Sequence, residues 1–321
     1  MGPRESQRGN AALVRLIAAL AVILVARPAA AGPHGTDING PGRLQGLVLI
    51  ADGESFTVIR GDDLRLGTKG VTLLTGDIVE TGPGAFLVIE LQGGSPSPPG
   101  IPSLAARSED PRASLIGIGP SSGVYFLPHA GAATLVVLRG WLKADIRTAK
   151  SGAISVLGPR LGIQTSSRQA VVILHTDEHS DALFDEQGSG TLLLRDTAAT
   201  HIDKQTQPNQ FFVRQERSDA LLQPRPSADF LAKMPVAFRD TLPQETSTRP
   251  GSPLEPKRVR KVTYSDIQTW LALPRDWRTG FITRFRRRLE DPAFFAAMDA
   301  HRASYPEWIP ILHPKQNSEA R

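Results

Sequence analysis

The chain contains no cysteine. Thiol nucleophiles, thiolate metal centres, disulfide staples and thiol redox switches are therefore excluded, and stability has to come from packing. Long apolar runs are also scarce. LIAALAVILVA (Leu16 to Ala26) stops at Arg27 and Pro28 after eleven residues, well short of the roughly 20 that a membrane-crossing helix needs. No comparable run follows it. An excess of one charge is lacking too: residues 1–31 carry +3, residues 32–241 carry −3 and residues 242–321 carry +5. A mildly acidic body with a basic tail is a poor match for a polyanion-wrapping, genome-binding protein.

What precedes and follows the apolar run is informative. Arg4, Arg8 and Arg15 lie before it, and Ala29, Ala30 and Ala31 come just after it. These are the charged, apolar and cleavage regions of a secretory signal, so residues 1–31 are expected to be a signal peptide cut after Ala31. Retention of the segment as an anchor is the alternative.

Glycine (29) and proline (26) are abundant among the 321 residues, which favours many short elements joined by turns. From Arg43 onward, apolar runs of four to eight residues recur at strand-like intervals, among them RLQGLVLI, AFLVIEL, GVYFL, TLVVLRG, AVVILHT and QFFVRQ. In WLKADIR, Trp141, Lys143, Asp145 and Arg147 fall on one face and Leu142, Ala144 and Ile146 on the other, the alternation of a half-buried strand. The expected fold is mainly β: an antiparallel β-sandwich or β-roll-like domain over residues 43–222. The stretch GGSPSPPGIPSLAARSEDPR (Gly93 to Arg112) is expected to be an irregular insertion between two strands. Residues 223–262 read as a short helix, capped by Ser227, and a Pro-rich linker. Thr263 with Asp266, and Asp291 with Pro292, are helix-start signals, so residues 263–313 are expected to form a basic α-helical unit. Its clustered aromatics, including Trp270, Trp277, Phe281, Phe285, Phe294 and Trp308, are expected to make a small core.

Four stretches tempt a chemical reading. TGDIVETGPGAFLVIEL (Thr75 to Leu91) has neither the lysine and hydroxyl of a phosphate loop nor the third glycine of a dinucleotide fingerprint. Gly82 and Gly84 are expected instead to turn a β corner with positive φ. GPSSG (Gly119 to Gly123) matches the serine-hydrolase pattern, but a strand-like GVYFL follows where a nucleophile elbow needs a helix, so Ser121 is not expected to be catalytic. HTDEH (His175 to His179), with Asp181 and Asp185, reads as a solvated turn, because histidines four apart on a strand lie about 13 Å apart and cannot share a metal. RFRRR supplies Arg284, Arg286, Arg287 and Arg288, which spread around a helix. They are either a solvated face pairing with the acidic body or a contact for an anionic partner.

The succession GDIVETGPGAFLVIEL, IGPSSGVYFL, ATLVVLRGWLKADI and GPRLGIQTSSRQAVVIL resembles the FecR domain of bacterial envelope proteins. The matching positions are Val79, Thr81 and Gly82; Pro120 and Ser122; Leu138, Gly140 and Leu142; and Thr165, within a span from about Val71 to Arg217. The resemblance implies a periplasmic module of a Gram-negative bacterium. The best-known members place a sigma-regulating cytoplasmic arm before a membrane span, and the fifteen residues ahead of Leu16 are too few for one. The expected function is non-catalytic binding or signalling with no cofactor, an envelope protein or anionic envelope polymer meeting the loops of the body and the basic tail adding charge. Peripheral membrane contact through that tail is a variant of this reading. Two alternatives stay open: a glycan-acting envelope enzyme using Asp177, Glu178, Asp181, Asp185 and Glu186, and a periplasmic sensor in a sigma-factor pathway working through a separate membrane partner.

Overall fold

The computed structural model describes residues 45–53, 55–92, 113–128, 133–147, 153–165, 167–196, 200–216, 218–244 and 254–314. The expected signal segment, the insertion 93–112 and the linker residues 245–253 lie outside the described residues. The chain begins with β1 (Gln45–Asp52), β2 (Phe56–Arg60), β3 (Asp63–Gly67), β4 (Thr72–Leu74), β5 (Ile78–Glu80) and β6 (Phe86–Gln92). Next come β7 (Ser114–Ile118), β8 (Gly123–Leu127), β9 (Ala133–Arg147), β10 (Ile154–Leu157), β11 (Leu161–Thr165) and β12 (Gln169–Thr176). Then follow β13 (Ser180–Gln187), β14 (Gly190–Arg195), β15 (Thr200–Gln205), β16 (Gln210–Gln215) and β17 (Leu221–Gln223). The C-terminal part holds α1 (Ala228–Lys233), α2 (Val236–Arg239), β18 (Lys257–Lys261), α3 (Tyr264–Leu271), α4 (Arg275–Phe285), α5 (Pro292–Ala300) and α6 (Ile309–Leu312).

The strands form a mostly antiparallel sheet that curls into two halves. One half runs β4–β1–β6–β7–β9–β12–β13–β16–β17. The other runs β18–β3–β2–β5–β8–β9–β10–β11–β14–β15, with β9 and β10 parallel. Strand β9 belongs to both: its first part pairs with β8 and β10, its second with β7 and β12. The change of sheet falls at Gly140, which has φ +82° and whose missing Cβ would sit 2.3 Å from the Ser122 Oγ. Only glycine satisfies both demands.

Between the halves lies the central core. Leu142, Ala144 and Ile146 of β9 point into it with Val58, Leu87, Ile116, Phe126, Val172, Leu183 and Phe212, as the WLKADIR alternation predicts. The outer faces are apolar as well, and the C-terminal part covers both. Over the first half, Phe230, Met234, Phe238 and Leu242 cover Leu47, Val88, Leu115, Trp141, Ile173 and Phe211. Ser227 caps α1 by accepting from the Phe230 amide at 3.1 Å, and Gly117 leaves room for the Phe238 ring, which a Cβ there would approach to 2.8 Å.

Over the second half, Ile59, Ile78, Tyr125 and Val136 meet Val262, Ile267, Trp270, Phe281, Phe285, Phe294, Met298 and Trp308. The aromatics of the C-terminal helices do pack together, and the face they share with β2, β5 and β8 makes them part of a larger core. Thr263 and Asp266 form the anticipated capping box, and Asp291 caps α5 ahead of Pro292. Residues 257–261, in the stretch read as linker, instead pair with β3 as β18. Lys261 meets Asp62 at 2.6 Å and Asp63 at 3.1 Å, and Arg258 meets Asp63 at 3.0 Å, so charge complementarity accompanies the ladder. No helix among the described residues is long and apolar enough to cross a membrane.

Gly82 and Gly84, in the corner within Thr75 to Leu91, do not take the positive φ expected of them; in this stretch it occurs at Gly76 (+93°). The Gly82 carbonyl accepts from Ala85 at 3.2 Å and from Ser121 at 2.9 Å, so the corner closes through ordinary turn geometry.

Candidate recognition surface

The carboxylates of the HTDEH region do not converge. Asp177 closes the β12–β13 turn by accepting from the amides of His179 (2.8 Å) and Ser180 (2.7 Å). Burial opposes its ionisation, but those donors outweigh it and hold its pKa below the ordinary value. Asp181 faces between the sheet halves and accepts from the Arg160 and Leu161 amides at 2.6 and 3.0 Å and from the Arg160 guanidinium at 3.2 Å. Burial nevertheless raises its pKa. Asp185 is also fully buried. Its Oδ2 accepts from the Thr206 hydroxyl at 2.6 Å, its Oδ1 has no hydrogen-bond partner among the described residues, and burial pushes its pKa up to about 6.

Glu186 points the other way, to the Lys143 ammonium at 3.0 Å. That buried lysine also donates to the Phe238 and Asp240 carbonyls at 2.8 and 3.1 Å, pinning the end of α2 to β9. Glu178 is exposed, and its carbonyl accepts from Arg160. His175 packs against Trp141 in a tilted pair with centroids 4.1 Å apart, and burial keeps its pKa below the ordinary value. His179 stays exposed in the turn. No group of three or more metal-ligating side chains occurs among the described residues.

The GPSSG turn is a junction. Ser121 is exposed with φ +51° and leads into β8, as anticipated. Thr81 donates to the Gly119 carbonyl at 2.7 Å and accepts from the Ser122 amide at 2.8 Å. The Ser122 hydroxyl accepts from the Trp141 amide at 2.8 Å. Three positions that carry the FecR resemblance, Thr81, Ser122 and Gly140, therefore meet where β5, the β7–β8 turn and β9 touch. Thr165, a fourth, bonds the backbone of Ile154 across the β10–β11 pair. These hydroxyls satisfy buried backbone groups.

The four arginines are divided. Arg284, at the end of α4, donates to the carbonyls of Gly61 (2.6 Å), Gly76 (2.7 Å) and Ile59 (2.5 Å), and burial lowers its pKa. Arg288 donates to the Val262 carbonyl at 2.9 Å and pairs with Asp291 at 2.6 Å. These two bolt the turn after α4 to the body, so the structure does not bring all four to one surface. Arg286 and Arg287 are exposed and make no ion pair among the described residues. At the opposite end of α4, the Arg195 guanidinium lies 4.1 Å above the Trp277 ring and pairs with Asp276. Arg195 and Lys143 carried no legible signal, because a single cation in a strand normally faces water.

Two further features were invisible in the sequence. A polar cleft of about 240 Å³ is lined by Asp145, Arg147, Gln169, Ala170, Val171 and Gln187, with Arg147 forked onto Asp145 at 2.9 and 3.1 Å. The edges of the sheet also differ. At one end, β18 presents Lys257, Arg258 and Arg260 with a bulge at Val259. At the other, β15 and β17 leave Ile202 77%, Leu221 63% and Leu222 49% exposed.

No protein-family model matches the chain, and no curated protein matches it. Among solved structures it is similar to two chains from Parabacteroides distasonis ATCC 8503, each described as a "putative anti-sigma factor". The first, solved at 1.65 Å, has a TM-score of 0.29 and 8% identity over 36% of this chain. The second, at 2.50 Å, has a TM-score of 0.26 and 8% identity over 53%. The match spans 53% and 60% of those two chains. Similarity at this level carries no argument about activity.

Proposed function

We propose that the chain is an exported, non-catalytic binding or signalling module that engages an acidic protein partner of the cell envelope, with its basic C-terminal layer supplying charge. One observation carries this reading: Arg284 and Arg288 fix the turn after α4 to the body while Arg286 and Arg287 face solvent. A backbone already held in place lowers the ordering cost of docking, and paired cations steer an acidic surface toward it. The placement of the clustered acids supports the same reading, since Asp181 and Asp185 hold the sheet halves together and Glu186 faces the outer side. An acid–base pair for glycan hydrolysis would need two carboxyls facing one another across a cleft.

The test is affinity capture from envelope extracts with the intact chain and with the R286E/R287E variant. The expected result is a protein retained in near-equal amount by the parent and lost by the variant, with unchanged melting. Equal retention by both, or retention only of anionic glycan or lipid, would overturn the reading.

A further inference from the structure

The polar cleft of about 240 Å³ is built by three neighbouring strands of the first half: Asp145 and Arg147 from the end of β9, Gln169 and Val171 from the start of β12, and Gln187 from the end of β13. The ladder sets Gln169 opposite Arg147, and Val171 between Asp145 on one side and Gln187 on the other. Residues directly opposite share a face, so these five side chains rise together from the outer face. Two residues back along β9, Lys143 holds the end of α2.

The charges of the cleft cancel. Asp145 is 3% exposed, and its two oxygens accept from Arg147 at 2.9 and 3.1 Å. An anion entering the cleft would meet the carboxylate and a cation would meet the guanidinium, so neither gains. Hydrogen-bonding capacity is left over, however. A carboxylate has about four acceptor sites, of which the fork uses two. Gln169 and Gln187 are exposed, and their side-chain amides make no hydrogen bond among the described residues. Each offers donors and an acceptor. Val171 is half-buried and adds a small apolar patch on the same face.

We infer that this cleft holds one ring of a neutral saccharide. A hydroxyl both donates and accepts, so a ring with hydroxyls on adjacent carbons can donate to Asp145 and exchange hydrogen bonds with the two amides while its C–H surface lies on Val171. A peptide unit carries its donor and its acceptor on opposite sides and leaves part of this set unmet. The volume is below the roughly 300 Å³ at which drug-sized pockets begin, which suits a single ring. No aromatic side chain lines the cleft for the ring to stack on, so the contact is weak, with a dissociation constant of about 1–10 mM. Binding, not hydrolysis, is inferred: glycoside hydrolysis needs two facing carboxyls, and Asp145 is the one carboxylate lining the cleft among the described residues. The site is independent of the partner contact at Arg286 and Arg287.

The experiment is an NMR titration of the intact chain that follows the amide signals of the lining residues. The methyl glycosides of glucose, galactose, mannose and N-acetylglucosamine are the neutral probes; glucuronate, glucosamine and triglycine are the anionic, cationic and peptide probes. At least one neutral glycoside is expected to saturate these signals at low millimolar concentration, with the charged sugars and the peptide at least fivefold weaker. The Q169A/Q187A double variant should weaken binding at least tenfold, and V171F, which fills the cleft, should abolish it. Both glutamines are exposed, so the double variant tests the site even where V171F fails to fold, and unchanged melting confirms its own folding. A trisaccharide of the bound sugar identifies the source: equal affinity assigns the end of a glycan chain, and exclusion assigns the free sugar. No saturation by any neutral glycoside up to about 50 mM overturns the inference. So does tighter binding of glucuronate, glucosamine or triglycine, or a titration that the double variant leaves unchanged.

Discussion

The two outer faces of the curled sheet are both apolar and both covered by the C-terminal part, yet they are covered by different means. Two short helices, α1 and α2, lie over the first half with Phe230 and Phe238, Met234 and Leu242 follow them onto the same face, and the buried Lys143 ammonium fastens the end of α2. The second half receives β18 and four helices with a dense aromatic cluster. There the attachment is made at both ends of α4, by Arg284 onto three backbone carbonyls and by Arg195 over Trp277. A helix of four to six residues cannot sustain itself in water and exists because the face beneath it is apolar. The larger cover has enough buried surface of its own to be cooperative with the sheet. Exchange and partial opening therefore belong to the first face, and loss of the second cover is equivalent to unfolding.

The largest effect is expected of Trp270→Ala, on the underside of the second cover. Trp270 is fully buried, lies against Gly123, and donates its indole N–H to Glu80 at 2.8 Å. Its truncation should cost roughly 3–5 kcal/mol in urea unfolding, with a single cooperative transition at a lower midpoint. Phe238→Ala should cost about 3 kcal/mol or less, because α2 can collapse onto the gap. It should also open the 228–242 segment to protease before global unfolding. Equal global effects from the two variants would sink the distinction. Arg284→Met keeps the aliphatic stem and leaves three carbonyls without their donor, for roughly 2 kcal/mol. Arg286→Ala, on the solvent side of the same turn, should change stability by less than about 0.5 kcal/mol.

A pH-dependent effect probes the space between the sheet halves. The Asp185 pKa is raised from 3.8 to about 6 in the folded state, so the folded protein holds that proton more tightly than the unfolded chain. The sign follows: this group favours folding at low pH, and its contribution is lost as pH rises through about 6. Asp185→Asn should therefore gain roughly 1 kcal/mol over the parent above pH 7, and the gain should shrink as pH falls from 6 toward 4. Thermal melts of the two proteins across that window give the difference directly. A constant difference would show that the carboxylate is not the titrating group.

The strand pattern was legible because short apolar runs and their turn residues are local signals, and the alternation in WLKADIR separated the two faces of β9; the expectation of a half-buried strand was wrong, because the C-terminal part buries Trp141 and Lys143, and Asp145 is buried as well. Thr81, Ser122, Gly140 and Thr165, four of the nine positions read as resembling the FecR domain, turn out to be residues that bond buried backbone or permit the bend in β9. Such residues report architecture, and for that reason they say little about what the protein contacts. The helical starts were legible from their caps. Where the helices dock was not, since the receiving residues Ile59, Ile78 and Tyr125 are distant in sequence. A signal was nonetheless present: TVIR, DIVE and GVYFL are apolar at consecutive positions, as strands buried on both faces are. The arginine run misled for a related reason. Whether a cation in RFRRR faces water depends on which side of α4 meets the sheet, and composition does not encode that. The uncharged edge at β17 needed the pairing partner of every strand to be known first.

One consequence follows from the order in which the chain supplies its layers. Residues that shield the two outer faces, from Phe230 to Leu312, are made after every strand of the two-sided body except β18. A chain emerging amino end first must therefore display two broad greasy planes to its surroundings until its final third arrives. Such an intermediate invites aggregation, so a helper that shelters half-made protein would be needed for as long as the closing segment is missing.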